Sequence, residues 1–128
     1  DWSSDVCSSD LLVADDQADC RDAIQALLDR QGWATTTVCD GASALERLLD
    51  ETFDLSLLDV HMPSLTGLEV LAQLRSFNRI VPSIIMTGNP SASIETEALD
   101  LGAITMLHKP VSADILRITI DRFFSQRG

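Results

Sequence analysis

Four stretches of this chain place residues capable of metal-binding or nucleophilic chemistry just where short apolar runs end. Asp15-Asp16 follow Leu11–Ala14, Asp59 follows Leu55–Leu58, Thr87 follows Ser83–Met86, and Lys109-Pro110 follow Ile104–His108. Carboxylates crowded together repel one another and resist ionising unless a cation joins them. An oxygen-only ligand set with room for waters suits Mg2+ better than zinc or copper. Lys109 is the one lysine in the chain, the other eight basic residues being arginine. A compact ammonium can approach a carboxylate or phosphoryl oxygen as a point charge where a planar guanidinium would not fit. Each piece has an ordinary explanation: an N-cap acid pair, a turn opener, a loop start, a solvated lysine. Those explanations do not predict all four at successive strand ends.

The elements that must position these residues follow from apolar periodicity. From Leu11 onward, short apolar runs alternate with helical patterns five times, the signature of βα units and a parallel sheet. Leu11–Ala14 reads as a strand, followed by a helix burying Ala23, Ile24, Leu27 and Leu28, with Gly32 as its stop. Trp33–Cys39 alternates and is rich in Thr and Val, which suits an edge strand, and Ala42–Leu49 supplies a short helix. Leu55–Leu58 is a buried strand, and Gly67–Arg75 a helix with Leu68, Leu71 and Leu74 on one stripe. Pro82 opens the fourth strand, continued by Ser83–Met86, before a helix at Ser93–Leu101. Gly102 then stops that helix, Ile104–His108 forms the fifth strand, and Ser112 caps a last helix through Phe124. The expected fold is α/β: a doubly wound, flavodoxin-like, five-stranded parallel sheet of order 2-1-3-4-5. Ligands of such sheets bind beyond the carboxyl ends of the strands where the order reverses, so Asp15, Asp16, Asp59, Thr87 and Lys109 should meet at one edge.

Composition narrows the function classes. The 128 residues suit one domain, and the formal charge of −11 with scattered arginines offers no cluster to track nucleic acid or an anionic membrane. Apolar residues make up 45%, yet no run approaches the roughly 18 residues of a membrane span. Cys7, Cys20 and Cys39 show no C-x-x-C spacing, and a reducing cytoplasm fits that usage. Asp1–Leu11, DWSSDVCSSDL, lacks the regions of a signal peptide and looks like a translated sequencing adapter. Residues 1–10 are therefore expected to be a non-native or disordered tail, 11–124 the domain, and 125–128 a C-terminal tail.

Over nearly all of Leu11–Phe124 the chain resembles the response-regulator receiver domains of bacterial two-component signalling. The strings that carry the likeness are LLVADD, LLDVHMPSLTGLEVL, IIMTG and LGAITMLHKP, in the expected order and separation. The resemblance implies that Asp59 is a phosphoacceptor, Asp16 a direct Mg2+ ligand, Asp15 a ligand acting mainly through water, and the His61 carbonyl a further ligand. Thr87 would hydrogen-bond the phosphoryl group, Lys109 would pair with it, and the Lys109-Pro110 bond would be cis. The implied donor is a sensor histidine kinase or phosphotransfer protein. An output domain or partner would read the face formed by the fourth helix, fifth strand and fifth helix.

Departures qualify the likeness. Met106 stands in the fifth strand where the family usually carries Tyr or Phe, which weakens the expectation of an aromatic rotamer switch. His61 and His108 read as solvated or structural, and Trp33 with Phe123-Phe124 as packing residues. Two rival functions share some of the features. An Asp-nucleophile acyl-phosphate hydrolase would place its acids two residues apart after the first strand, and here they are adjacent. A degenerate receiver serving only as an interaction module would not need every chemical position filled.

Overall fold

The computed structural model describes residues 9–127. Five strands, β1 (Asp10–Ala14), β2 (Ala34–Val38), β3 (Leu55–Asp59), β4 (Ser83–Thr87) and β5 (Thr105–His108), alternate with five helices. These are α1 (Ala18–Arg30), α2 (Gly41–Asp50), α3 (Gly67–Ser76), α4 (Ala92–Asp100) and α5 (Ala113–Arg127). All strand pairs are parallel and the order is β2-β1-β3-β4-β5, the order expected for five consecutive βα units.

Strand alternation divides the core into two layers. Leu12, Ala14, Leu58 and Ile85 face the side covered by Ala44 and Leu48 of α2, Leu68, Leu71 and Leu74 of α3, and Ala98 of α4. Leu11, Val13, Leu57, Ile84 and Met86 face the other side, against Ile24, Leu27 and Leu28 of α1 and Leu116 and Ile120 of α5. Trp33 packs at a tilt against Phe124, and Phe124 against Phe123, with centroids 5.6 and 5.3 Å apart, closing this second layer. β3 and β4 are buried along their whole length, as expected of central strands, whereas β2 is half-exposed at the edge. Among the described residues no helix is long and apolar enough to cross a membrane.

Helix starts are set by side chains that accept the first free backbone N–H groups. Asp40 accepts from Ser43, Ser91 from Ile94, and Thr66 and Glu69 form a reciprocal capping box. Ser112 Oγ lies 3.4 Å from the Ile115 nitrogen. At the far end of α2, the Arg79 guanidinium donates to the carbonyls of Leu48 and Glu51. α1 is the exception: its N-cap is Gln17, whose side chain makes no capping bond.

Several boundaries differ from the sequence reading. Ala23 is exposed rather than on the buried stripe of α1, and Trp33, Cys39 and Ile104 fall outside the strands. α5 continues past Phe124 to Arg127, because Ser125 and Gln126 can lie on its exposed side at no cost in burial. At the other end, β1 begins at Asp10. Asp10 donates to Asp54 Oδ2 and accepts from the Asp54 N–H, both at 2.8 Å, and Ala34 N–H donates to the Ser9 carbonyl at 2.9 Å. Two of these are backbone–backbone bonds and the third ties the Asp10 N–H to a side chain, none of which an apolar-run criterion can see. Residues 1–8, with Cys7 and the rest of the adapter-like string, lie outside the described residues. Deleting residues 1–10 should therefore lower stability by about 1.5–4.5 kcal/mol, the sum of three modest hydrogen bonds. Urea denaturation of the truncated chain, with an unchanged midpoint as the contrary result, checks this.

Candidate functional site

β1 and β3 are neighbours with Ala14 opposite Leu58, so Asp15, Asp16 and Asp59 emerge side by side at the carboxyl edge of the sheet. Each offers one carboxylate oxygen to a cluster whose oxygens all lie within 4.8 Å of one another. Asp15 is fully buried, Asp59 is 4% exposed and Asp16 is exposed. The set is all-oxygen and open to solvent on the Asp16 side, which fits a hard cation that retains waters.

The opposite wall comes from β4 and β5. Thr87 lies opposite His108 in the register, and the Lys109 N–H donates to the Thr87 carbonyl at 2.8 Å. The Lys109-Pro110 peptide is cis. From there the Lys109 ammonium reaches back across the edge, 2.9 Å from Asp15 Oδ2, 3.2 Å from Asp59 Oδ2 and 3.3 Å from Gln17 Oε1. Behind Asp59 the chain turns tightly into α3. A Cβ at Gly67 would lie 2.5 Å from the Asp59 carbonyl oxygen, so only glycine lets the helix start this close to the acid's backbone.

Electrostatics separate the two buried acids. Burial opposes ionisation of Asp15, but hydrogen bonds from the Cys20 thiol, the Gln17 N–H and Lys109 outweigh it and hold its pKa below the usual carboxylate value. For Asp59 burial wins: despite Lys109, and with Asp15 adding repulsion, its carboxyl is pushed above the ordinary range. Lys109 also loses solvation on burial, yet the two acids more than compensate and raise its pKa. Burial and the Asp15 carboxylate push the Cys20 thiol up to about 11, keeping it a protonated donor. Of the two buried acids, Asp15 thus favours its ionised form and Asp59 resists it, with the Lys109 ammonium between them.

A cavity of about 250 Å³ opens above Asp59, lined by Asp16, Gln17, Asp59, His61, Gly88, Asn89 and Lys109. Five of the six residues singled out in the sequence therefore gather here, with Asp15 just beneath Lys109, or four if only cavity walls are counted. Thr87 is different: it is fully buried, and its Oγ1 accepts the Asn89 N–H at 3.0 Å, so its hydroxyl is turned into the β4–α4 loop. The His61 side chain is exposed at the rim, and its N–H donates to the Asp59 carboxyl. Gln17, Asn89 and Cys20 were not singled out in the sequence. The first two sit within two residues of a predicted strand-end residue, so the same edge argument extended along each loop finds them. Cys20 carries no such signal.

The family model for the response regulator receiver domain matches residues 11–121. The chain belongs to this family. Receiver-domain relatives include the transcriptional regulatory protein ZraR of Klebsiella oxytoca, 37% identical over 111 residues, which is 87% of this chain and 25% of that protein. The transcriptional regulatory protein FixJ of Bradyrhizobium diazoefficiens is 34% identical over 116 residues, 91% of this chain and 57% of that protein. The chain thus spans between a quarter and just over half of these curated relatives. Among solved structures, the receiver domain of the Francisella response regulator 1452 superposes with a TM-score of 0.88 at 31% identity, covering 94% of this chain and 99% of that one. Because these relatives are named as transcriptional regulators, the lack of a basic patch here says nothing about nucleic-acid contacts made by a longer protein.

Proposed function

We propose that this receiver domain is the phosphoacceptor switch of a two-component phosphorelay, with Asp59 taking the phosphoryl group from a sensor histidine kinase or phosphotransfer protein. The observation that carries this reading is the Asp59 carboxylate at the floor of a solvent-open cavity, 3.2 Å from the Lys109 ammonium and within a cluster of three acids. Asp59 Oδ attacks the phosphorus in line as the bond from phosphorus to the donor nitrogen breaks, and the imidazole leaves with that electron pair. Lys109 neutralises oxygen charge on the transferring group. Asp16, Asp59, the His61 carbonyl and, through water, Asp15 would hold Mg2+, which when bound would supply further charge neutralisation. An indirect part for Asp15 accords with its oxygens being engaged by Gln17 and Lys109. Water later attacks phosphorus, releasing inorganic phosphate and restoring the carboxylate. The chain therefore catalyses its own modification and not the turnover of an external substrate.

Once Asp59 is phosphorylated, the Thr87 hydroxyl donates its proton to a phosphoryl oxygen, and because its oxygen also accepts the Asn89 N–H, its turn toward the phosphoryl group moves the loop into α4. The readout is the α4–β5–α5 face, where Leu99, Ile104, Ile115 and Ile118 are exposed for a partner or output domain. Met106 lies half-buried against the α2–α4 side of the core. Its flexible side chain reports the Thr87 shift less decisively than a ring with two preferred positions. A cytoplasmic setting follows from the kinase partner.

The test is mass spectrometry after acetyl phosphate with Mg2+, which should give one hydroxylamine-labile phosphoryl group per chain. An unlabelled chain would leave the interaction-module reading in its place. In the same system Asp16→Asn should weaken Mg2+ binding by about tenfold or more, and Asp15→Asn by less, since ligand charge sets affinity in such sites. Calorimetry or Mn2+ relaxation measures it, and equal affinities for wild type and Asp16→Asn would remove Asp16 as the direct ligand.

A further inference from the structure

Asp16 is exposed, so packing does not fix its carboxylate and the backbone beneath it must. The usual device for fixing a loop that opens a helix is missing, because the N-cap of α1 is Gln17, whose side chain makes no capping bond. Arg21, one turn into α1, takes its place. Its N–H donates to the Gln17 carbonyl at 2.9 Å, the ordinary helical bond. Its guanidinium folds back and donates from Nη1 to the Asp15 carbonyl at 2.8 Å. One residue therefore holds the carbonyls on both sides of Asp16. The other two ties of this loop are the Asp15 N–H to the Val38 carbonyl at 3.2 Å and the Gln17 N–H to Asp15 Oδ1 at 2.9 Å. Of the four, the guanidinium bond alone comes from a charged donor, the stronger kind. A cation beside an acidic metal site also has a cost: it repels the metal, so by charge alone its removal would tighten binding. Support of the loop predicts the opposite sign.

We infer that Arg21 is a positioning residue for the metal site: its guanidinium fixes the Asp15 carbonyl, and with it the backbone that presents Asp16 to Mg2+. This rests on the phosphoacceptor reading of Asp59 and on the acid cluster beside it. Arg21 touches neither the metal nor the phosphoryl group and acts only through the loop. Without the guanidinium bond the Asp15–Asp16 peptide can rotate, and Mg2+ must order it on binding.

The experiment is calorimetric titration of Mg2+ into wild type, Arg21→Met and Arg21→Lys, with 15N amide spectra of the metal-free proteins. Arg21→Met keeps most of the stem and loses the donor, and its Kd should rise by about tenfold, the low end of what losing an outer support costs a metal site. Arg21→Lys keeps the charge, and one ammonium N–H can replace the single Nη1 contact on a shorter stem. Its Kd should lie above wild type and below Arg21→Met. In the metal-free Arg21→Met protein the Asp16 and Gln17 amide signals should shift or broaden while those of β4 and β5 stay in place, which separates a loosened loop from a loosened fold. A Kd at or below wild type in Arg21→Met, or in Arg21→Lys should the first variant not fold, would overturn the inference. So would weaker binding with the Asp16 signal unmoved. Wild type that binds no Mg2+ would instead sink the metal-assisted phosphoacceptor reading itself.

Discussion

Asp59→Asn should abolish the phosphoryl label completely and, at neutral pH, make the protein more stable, with Tm higher by about 2–8 °C. The first effect follows because an amide cannot form the acyl phosphate. The second follows from electrostatics. Asp59 is nearly buried and its pKa lies above the ordinary carboxylate value, burial being the main cause. An acid whose folded pKa is raised contributes stability only below its unfolded pKa, and loses it as pH rises through the folded value. At pH 7 the charged Asp59 therefore opposes folding, held there for function, and Asn relieves the repulsion with Asp15. Lys109 keeps its contact with Asp15, so no charge is orphaned. The gain should shrink toward pH 4, where the wild-type acid takes up its proton. Thermal unfolding at pH 4 and 7 measures both; a lower Tm for the variant at pH 7 would show that the Lys109 attraction outweighs burial.

The parts of the molecule legible in the sequence are those where burial selects residue type. Leu55–Leu58 and Ser83–Met86 are buried on both faces, so their runs announce central strands, and the Thr-rich Ala34–Val38 announces an edge. Strand order then brings Asp15, Asp16 and Asp59 together with no knowledge of their contacts. What stayed hidden depends on backbone pairing or on the path of one long side chain. Asp10 and Ser9 join the sheet through main-chain bonds that their polar side chains do not advertise. Gln17 reads as an indifferent helix start until Lys109 is seen to reach it. Thr87 sits where its strand predicts, but the direction of its hydroxyl is set by the Asn89 loop, which a strand pattern does not encode.

Lys109→Met should produce the largest loss of stability of any single change at this edge, about 3–5 kcal/mol at pH 8, because it leaves buried carboxylates without their cation. Lys109 is the shared partner of Asp15 and Asp59, whose side chains are 0% and 5% exposed. Methionine keeps most of the stem's packing, so the deficit reports charge more than volume. Its pH dependence identifies the cause. Without the ammonium, the folded pKa of both acids rises; stability is then retained below the unfolded value near pH 4 and is lost as pH climbs through the raised ones. The deficit should accordingly be small near pH 4–5 and complete by pH 8. Adding Asp59→Asn to Lys109→Met should return part of the loss, since one of the two orphaned charges is gone and the two sites share an interaction. Acetyl phosphate labelling of Lys109→Met should fall by about 10²–10³-fold, the usual effect of removing one preorganised donor from developing oxygen charge. Urea denaturation of the single and double variants at both pH values measures the coupling. An equal deficit at pH 5 and pH 8 would mean that Lys109 supports the fold by packing alone, and that the acids at this edge do not depend on it for their charge.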